Sequence, residues 1–309
     1  MYSPKSYHRP VLCREVVGLF RDVPVERIID ATLGDGGHSE AILEEYPDVV
    51  LFGIDRDSDA LEIAGERLSR FGDRFLSMCG RFGEMERIVD EEGFGDSGGV
   101  LFDLGMSSRQ IDDPQRGFSF GREGGIDMRM GGDVEVSAHE FINTADVDSL
   151  AATIRDFGEQ RGAYRIAKAI VRHRGEGRID TTTELARIVE NAVPGCTNAD
   201  LARVFQAIRI FVNDELEELK RGLEAALTIL VPGGIMVVIS YHSLEDRIVK
   251  RFMASEERGC ICPPDLPVCR CGHFPRLKRP FKKPMTPSED EIRANPRARS
   301  AKMRAAVKL

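Results

Sequence analysis

Four short apolar runs, separated by helix-like stretches, dominate the first hundred residues of this 309-residue chain. They are Arg27-Ile-Ile-Asp-Ala-Thr-Leu33, Val49-Val-Leu-Phe-Gly-Ile-Asp55, Phe75-Leu-Ser-Met-Cys79 and Gly99-Val-Leu-Phe-Asp103. Nearly continuous apolar runs of this length suit parallel strands buried on both faces. Ser39 to Glu45, Ser58 to Phe71 and Phe82 to Glu92 fill the gaps with helical spacing, Leu61, Ala64 and Leu68 sharing one face. The alternation β-α-β-α-β-α-β predicts a doubly wound α/β sheet.

The fifth strand comes late. Leu230-Val-Pro-Gly-Gly234 reads as a helix stop and Ile235-Met-Val-Val-Ile-Ser240 as the strand. A crossover needs only a dozen or so residues, so the long interval after Gly105 holds something else. Asp148 to Ile154 and Thr183 to Glu190 read as helices. We therefore expect an inserted all-helical subdomain over residues 112–212, returning through a long helix (Asp214 to Leu230). The sheet domain then comprises 1–111 and 213–309. From about residue 259 the texture becomes Pro-rich: eight of the 15 prolines fall between Pro263 and Pro296. This extension is expected to be loop-like, with at most a short helix near Glu289 to Arg293.

With 42% hydrophobic residues the chain can build a sizeable core. No run approaches the ~20 apolar residues of a membrane span, and Met1 to Arg9 lacks an apolar signal core. A cytoplasmic protein without a membrane partner is expected, its seven Cys kept as reduced thiols. The net charge of −8 hides an asymmetry. Arg270 to Leu309 carries 12 Lys and Arg against 3 Asp and Glu, a balance of +9 that leaves −17 on the rest. That basic stretch is either a phosphate-binding surface or a solvated tail.

The chemistry gathers at strand ends. Asp30-Ala-Thr-Leu-Gly34-Asp-Gly36-Gly37-His38-Ser39 places glycines where a strand meets a helix N-terminus, so backbone N–H groups can approach a ligand. The dinucleotide pattern G-x-G-x-x-G is not met, because its last position would be Ser39. Asp55 ends the second strand, where a carboxylate can accept from both hydroxyls of a ribose. Together these suggest an adenosine-containing cofactor; a tight turn beside a surface Asp is the alternative. Asp103-Leu-Gly-Met-Ser-Ser108 ends the fourth strand. There Asp103 and Gln110 can hydrogen-bond a ligand, and Phe82 can stack on adenine; alternatively Asp103 caps a helix and Phe82 belongs to the core.

Residues 30–39, Phe-Asp-Leu-Gly-Met-Ser-Ser (102–108), Arg-Gly-Phe-Ser-Phe (116–120) and Ile-Asp-Met-Arg-Met (126–130) resemble the bacterial ribosomal RNA small-subunit methyltransferase H family. So do Ser-Tyr-His-Ser-Leu-Glu-Asp-Arg (240–247) and Asn-Pro-Arg-Ala-Arg-Ser-Ala-Lys (295–302), and the likeness runs from Tyr7-His-Arg-Pro-Val to the C-terminus. The resemblance implies a Rossmann-like class I methyltransferase sheet and S-adenosylmethionine as cofactor. It also implies methylation of the N4 amine of a cytidine in the decoding centre of 16S rRNA, in an assembled or nearly assembled small subunit. By the same resemblance Gly36, Gly37, His38, Asp55, Phe82, Asp103 and Gln110 contact the cofactor; no single proton acceptor is carried over. The competing class is a non-catalytic RNA-binding or ribosome-assembly factor on the same fold. Monomer and homodimer both remain open.

An exocyclic cytosine amine is a poor nucleophile, so the enzyme must align it and help remove a proton. Candidates are Asp103 with its following loop, and Ser240-Tyr-His242-Ser; His242 can alternatively cap the helix starting near Ser243. Arg116, Phe118 and Phe120 can grip a splayed-out nucleotide or pin the inserted subdomain to the sheet. Arg161, Arg165, Lys168 and Arg172 share a helical face suited to phosphates, with Arg174 beyond them. Cys260-Ile-Cys262 and Cys269-Arg-Cys271, with His273, can enclose a tetrahedral Zn²⁺, although C-x-C pairs are tighter than usual. The alternative is a loop of reduced thiols, and no residue is assigned to a metal.

Overall fold

The computed structural model describes residues 10–260, 262, 268, 270–272 and 274–309. The chain divides into two compact units, Met1–Gly105 with Leu216–Leu309, and Met106–Glu215. It opens with α1 (Cys13–Leu19), β1 (Arg27–Asp30), α2 (Gly37–Glu45), β2 (Val50–Asp55), α3 (Ser58–Leu68), β3 (Phe75–Cys79), α4 (Met85–Glu91) and β4 (Ser97–Asp103). The second unit holds α5 (Ser108–Asp112), α6 (Ala138–Thr144), α7 (Val147–Gly158), α8 (Ala163–Arg174), α9 (Thr182–Ala192) and α10 (Asn198–Asn213). The sheet resumes after α11 (Glu215–Ile229) with β5 (Leu230–Ser240), α12 (Ser243–Glu256), β6 (Leu277–Lys278), α13 (Glu289–Ala294) and β7 (Lys302–Lys308).

Seven strands form one sheet in the order β3-β2-β1-β4-β5-β7-β6. The first five are parallel; β7 runs antiparallel between β5 and β6. This is the expected Rossmann-like arrangement, with the order reversing between β1 and β4. Alternate side chains feed opposite cores. Ile29, Phe52, Phe102 and Val238 pack with Met85, Leu223 and Met253. Their neighbours Ile28, Leu51, Leu101 and Val237 pack on the other face with Val16, Ile42 and Leu68. Burial on both faces explains the apolar runs of β1, β2, β4 and β5; β3 departs from that expectation, because it lies at the sheet edge with Leu76 45% exposed.

Several boundaries differ from the sequence reading. β1 ends at Asp30, because Leu33 has left the ladder to donate its N–H to the Ile54 carbonyl at 3.0 Å. β5 begins at Leu230, the register jumping from Ser97↔Leu230 to Gly99↔Ile235; Pro232 and Gly233 (φ +84°) absorb the irregularity. α5 groups with the second unit instead of the sheet domain, which moves the boundary from 111/112 to 105/106. Met106 packs on that unit's core, and Gln110 Nε2 donates to the Met130 carbonyl at 3.5 Å.

The larger correction concerns the C-terminal extension. Residues 302–308 form a strand inside the sheet, with Met303, Ala305 and Ala306 buried. Buried Arg304 pairs with Asp246 at 2.7 Å, and Lys302 lies 3.6 Å from the same carboxylate. Arg276 pairs with Glu256 (2.6 Å) and Arg279 with Glu257 (2.5 Å). Three acids on or just after α12 therefore offset part of the local +9.

In the second unit, the side chains of Ser137, Asp146, Thr181 and Thr197 each accept a backbone N–H at a helix start, as good N-caps do. Leu150, Ile154, Ile166, Ile170, Leu185, Val189, Val204 and Ile208 recur at helical spacing and form one core. Among the described residues, a single bridge, Gly125↔Thr181, interrupts this helical character.

Candidate active site

At the C-terminal end of β1 the chain must turn sharply into α2. Gly34 and Gly36 take φ of +51° and +77°, which strain any side chain; at Gly36 a Cβ would also lie 3.0 Å from Leu68 Cδ1. Gly36 occupies the N-cap without a side chain, leaving the first-turn N–H groups of α2 uncapped. Asp30 anchors the turn from beneath, accepting from Ser39 Oγ at 2.7 Å and from the Thr32 N–H at 3.2 Å. Burial raises its pKa despite these donors.

Two bonds tie neighbouring strand ends to this turn. Asp55 Oδ2 accepts the Gly34 N–H at 2.7 Å, while Oδ1 accepts the Asp57 N–H at 2.9 Å. Burial pushes the Asp55 carboxyl up to about 6, against the pull of those two N–H groups. Each oxygen still has a lone pair for an incoming hydroxyl. From β4, the Asp103 N–H donates to Thr32 Oγ1 at 2.6 Å. The ends of β1, β2 and β4 are thereby locked together.

The Asp103 carboxylate is itself held from two sides. Tyr241, just beyond β5, donates its hydroxyl to Oδ1 at 2.8 Å, and His38 Nε2 stands 3.4 Å from Oδ2. Burial disfavours a charged His38, but Asp103, Cys13 and Asp30 outweigh it and push its pKa up to about 10. The ring is in ion-pair range without hydrogen-bond alignment: among the described residues, neither buried nitrogen has a hydrogen-bond partner. Burial and the neighbouring Asp103 raise the Tyr241 phenol well above its usual range, so it stays a donor.

Phe82 opens a 3-10 turn (Phe82–Glu84) after β3. Its ring is half-buried, edge-on to Phe102 at 5.6 Å and 85°. Gly222 on α11 makes room for it, since a Cβ there would sit 2.5 Å from Phe82 Cδ2. Glu218 Oε1 fixes the turn by accepting the Gly83 N–H at 2.7 Å. The ring is thus partly core, as one sequence reading allowed. Gly37 opens α2, where a Cβ would lie 3.3 Å from Pro10 Cδ. Gln110 belongs to the second unit, where it completes a capping box with Ser107 at the start of α5.

Other candidates have structural roles. His242 is the N-cap of α12: Nδ1 accepts the Glu245 N–H at 3.4 Å, and Nε2 lies 3.0 Å from Glu245 Oε1. Phe118 is buried in the second unit's core, Phe120 meets Phe205 edge-on at 5.6 Å, and Arg116 donates to the Met130 carbonyl at 3.1 Å. These three pin their own unit. Arg165, Lys168 and Arg172 are exposed on α8 as expected, whereas Arg161 precedes the helix and Arg174 donates to the Ile142 carbonyl. The cysteine pairs are partly visible: Cys260, Cys262 and Cys271 converge, while Cys269 and His273 lie outside the described residues. The sequence reading missed Thr32 and Tyr241 as partners of Asp103. Their signal was position alone, each lying within a few residues of a strand end.

A turn that offers uncapped helix N–H groups, a carboxylate beside it and a buried imidazole without aligned partners fits a polar, adenosine-bearing ligand. Comparison with known proteins gives the chemistry a family. Residues 5–309 match the MraW methylase family. The chain is 47% identical over 307 residues to the ribosomal RNA small subunit methyltransferase H of Geobacter sulfurreducens, covering 98% of this chain and 99% of that protein. It is 44% identical over 309 residues to the protein of the same name from Heliobacterium modesticaldum, covering 98% and 99% respectively. No helix among the described residues is long and apolar enough to cross a membrane. With the whole-length match and the strand-end geometry in agreement, this chain belongs to the MraW methylase family.

Proposed function

We propose that this methyltransferase modifies the N4 amine of a cytidine in the decoding centre of 16S ribosomal RNA, acting in the cytoplasm on an assembled or nearly assembled small subunit. Small-subunit rRNA methylation with S-adenosylmethionine as methyl donor is the activity of the family to which the chain belongs. The observation that carries the reading is the locking of the β1, β2 and β4 ends by Asp55–Gly34 and Asp103–Thr32. It sets a glycine cradle, a carboxylate and a charged pair at the end of the sheet where such folds bind ligands.

S-adenosylmethionine supplies an activated methyl group on a positively charged sulfur. In this reading Asp55 accepts from the ribose hydroxyls, the backbone of Gly36 and Gly37 lies against the ligand, and one face of Phe82 stacks on the adenine. The buried nitrogens of His38 turn to the ligand's polar groups, and Gln110 enters on the resemblance alone. Asp103 stands at the end of β4, between the Tyr241 hydroxyl and the His38 ring. A carboxylate there steadies the cationic amine that forms as the cytosine nitrogen accepts a methyl group. The electron pair of the broken S–CH3 bond stays on sulfur, and the nitrogen's proton passes to bulk water.

The test is tritium transfer from methyl-labelled S-adenosylmethionine to free 16S rRNA and to assembled small subunits, followed by mapping of the labelled nucleotide. Label on the N4 position of a decoding-centre cytidine, strongest on subunits, supports the reading. Label on a ring carbon, a ribose or another RNA overturns it.

A further inference from the structure

We infer that Cys260, Cys262 and Cys271 form a zinc site in the segment joining α12 to β6. The three sulfurs lie within 4.8 Å of one another. Cys271 Sγ and Cys260 Sγ are 3.8 Å apart. Two thiolates on a tetrahedral Zn²⁺, with bonds of about 2.3 Å, stand about 3.8 Å apart, whereas a disulfide requires roughly 2.05 Å. The spacing rules out a disulfide between these two sulfurs and matches that of ligands around one ion.

The surrounding backbone treats these sulfurs as acceptors. The Cys262 N–H donates to Cys260 Sγ at 3.4 Å, and the Arg270 N–H donates to Cys262 Sγ at 3.5 Å. Such N–H···S bonds orient the sulfurs toward a common point, as the hydrogen-bond partners of metal ligands do. Gly272 follows Cys271 at φ +62°, a turn that carries the chain away without strain.

Among the described residues of this segment, apolar side chains do not form a core. Its base is closed where Arg276 donates its N–H to the Glu256 carbonyl (2.8 Å) and its Nε to Glu256 Oε2 (2.6 Å). Beyond that base, Val268 and Phe274 are 66% and 76% exposed, so neither contributes to a core. A metal cross-link is the device by which short, core-poor segments become ordered. Thiolate sulfur selects zinc over magnesium or calcium, which prefer oxygen. Each thiol gives up its proton on binding, and three thiolates leave one tetrahedral position for a further ligand.

The test uses the full chain, purified without chelator, with metal content measured by mass spectrometry. About one zinc per chain is expected. The double variant Cys260→Ser/Cys271→Ser should lose at least about tenfold of that content, while Cys79→Ser/Cys196→Ser keeps it. Adding Co²⁺ to the chelator-stripped parent chain should give the visible bands of a tetrahedral thiolate site, a readout that needs no variant and so survives any misfolding of one. A metal-free chain that takes up no cobalt, iron in place of zinc, or zinc retained by the Cys260→Ser/Cys271→Ser variant would each overturn the site.

Discussion

Two motif-rich loops put their polar groups to opposite uses. The turn 30–39 presents uncapped helix N–H groups, an Asp55 carboxylate with spare lone pairs, and an imidazole with unaligned nitrogens. The loop 116–130 closes on itself. Arg116 donates to the Met130 carbonyl, Asp127 pairs with Arg129 at 2.7 Å, and Asn213 joins Met128 and Met130. Both loops carry residues typical of binding sites, yet only the first leaves its polar capacity unspent. Dense motifs can mark a packed belt as readily as a site, and hydrogen-bond satisfaction tells them apart.

The largest effect should come from breaking the closed loop. Buried Asn213 accepts the Met130 N–H at 2.8 Å and donates to the carbonyls of Met128 (2.7 Å) and Arg209 (2.9 Å). Asn213→Ala leaves these groups unpaired and should lower the stability of the second unit by about 3 kcal/mol. Calorimetric unfolding checks this, and an unchanged midpoint would mean the belt is not closed by this residue.

In the open turn the same kind of change should act on affinity instead. Asp55→Ala should weaken S-adenosylmethionine binding by about 1.5–3 kcal/mol, roughly 10- to 150-fold, measured on the folded variant. Titration calorimetry showing full affinity in the folded variant would remove Asp55 from the ribose. A smaller effect follows from pH. Only the ionised carboxylate accepts from both hydroxyls, so affinity should fall as pH drops below about 6, the value to which burial pushes Asp55. For folding the sign is opposite. A raised carboxyl pKa contributes stability that is present below 3.8 and lost as pH rises through about 6. A flat affinity profile across that range would contradict the assignment.

The smallest effect concerns the exposed cations. Charge reversal at Arg165 and Lys168 on α8 should lower methylation at limiting RNA, and the loss should shrink at saturation while cofactor affinity holds. Each phosphate contact removed should reduce the slope of log affinity against log salt by about 0.9. Neutralising Lys278, Lys282 and Lys283 gives the matching test for the C-terminal segment. Arg279 is a poorer probe, because Glu257 already engages it. An unmoved slope in both variants would leave these cations merely solvated.

Four of the parallel strands were legible because burial on both faces writes itself as an apolar run; β3 carries the same apolar pattern at the exposed edge of the sheet, so its run did not mean burial. β7 was not legible: Lys302-Met-Arg-Ala-Ala-Val-Lys308 looks like a charged tail until Asp246, 58 residues earlier, pairs with Arg304. Asp55 and the glycine turn could be read because a strand end and a glycine-rich turn are local patterns. The Tyr241 bond to Asp103 spans 138 residues, and no pattern near either residue shows which way that hydroxyl points. Gln110 was assigned to the sheet domain because α5 follows β4 so closely, whereas its packing belongs to the second unit.

The late position of β7 also sets a timetable for synthesis. Sixty-two residues separate Ser240 from its partner Lys302 across the sheet. At about 5–20 residues per second, translation needs roughly 3–12 seconds to cross that interval. Throughout it β5 is a finished strand with one unpaired edge, the kind of surface that invites pairing with a neighbouring chain. A nascent copy of this protein therefore passes through a window in which its longest strand is open on one side, and polysomes that crowd such copies together are where misassembly would begin.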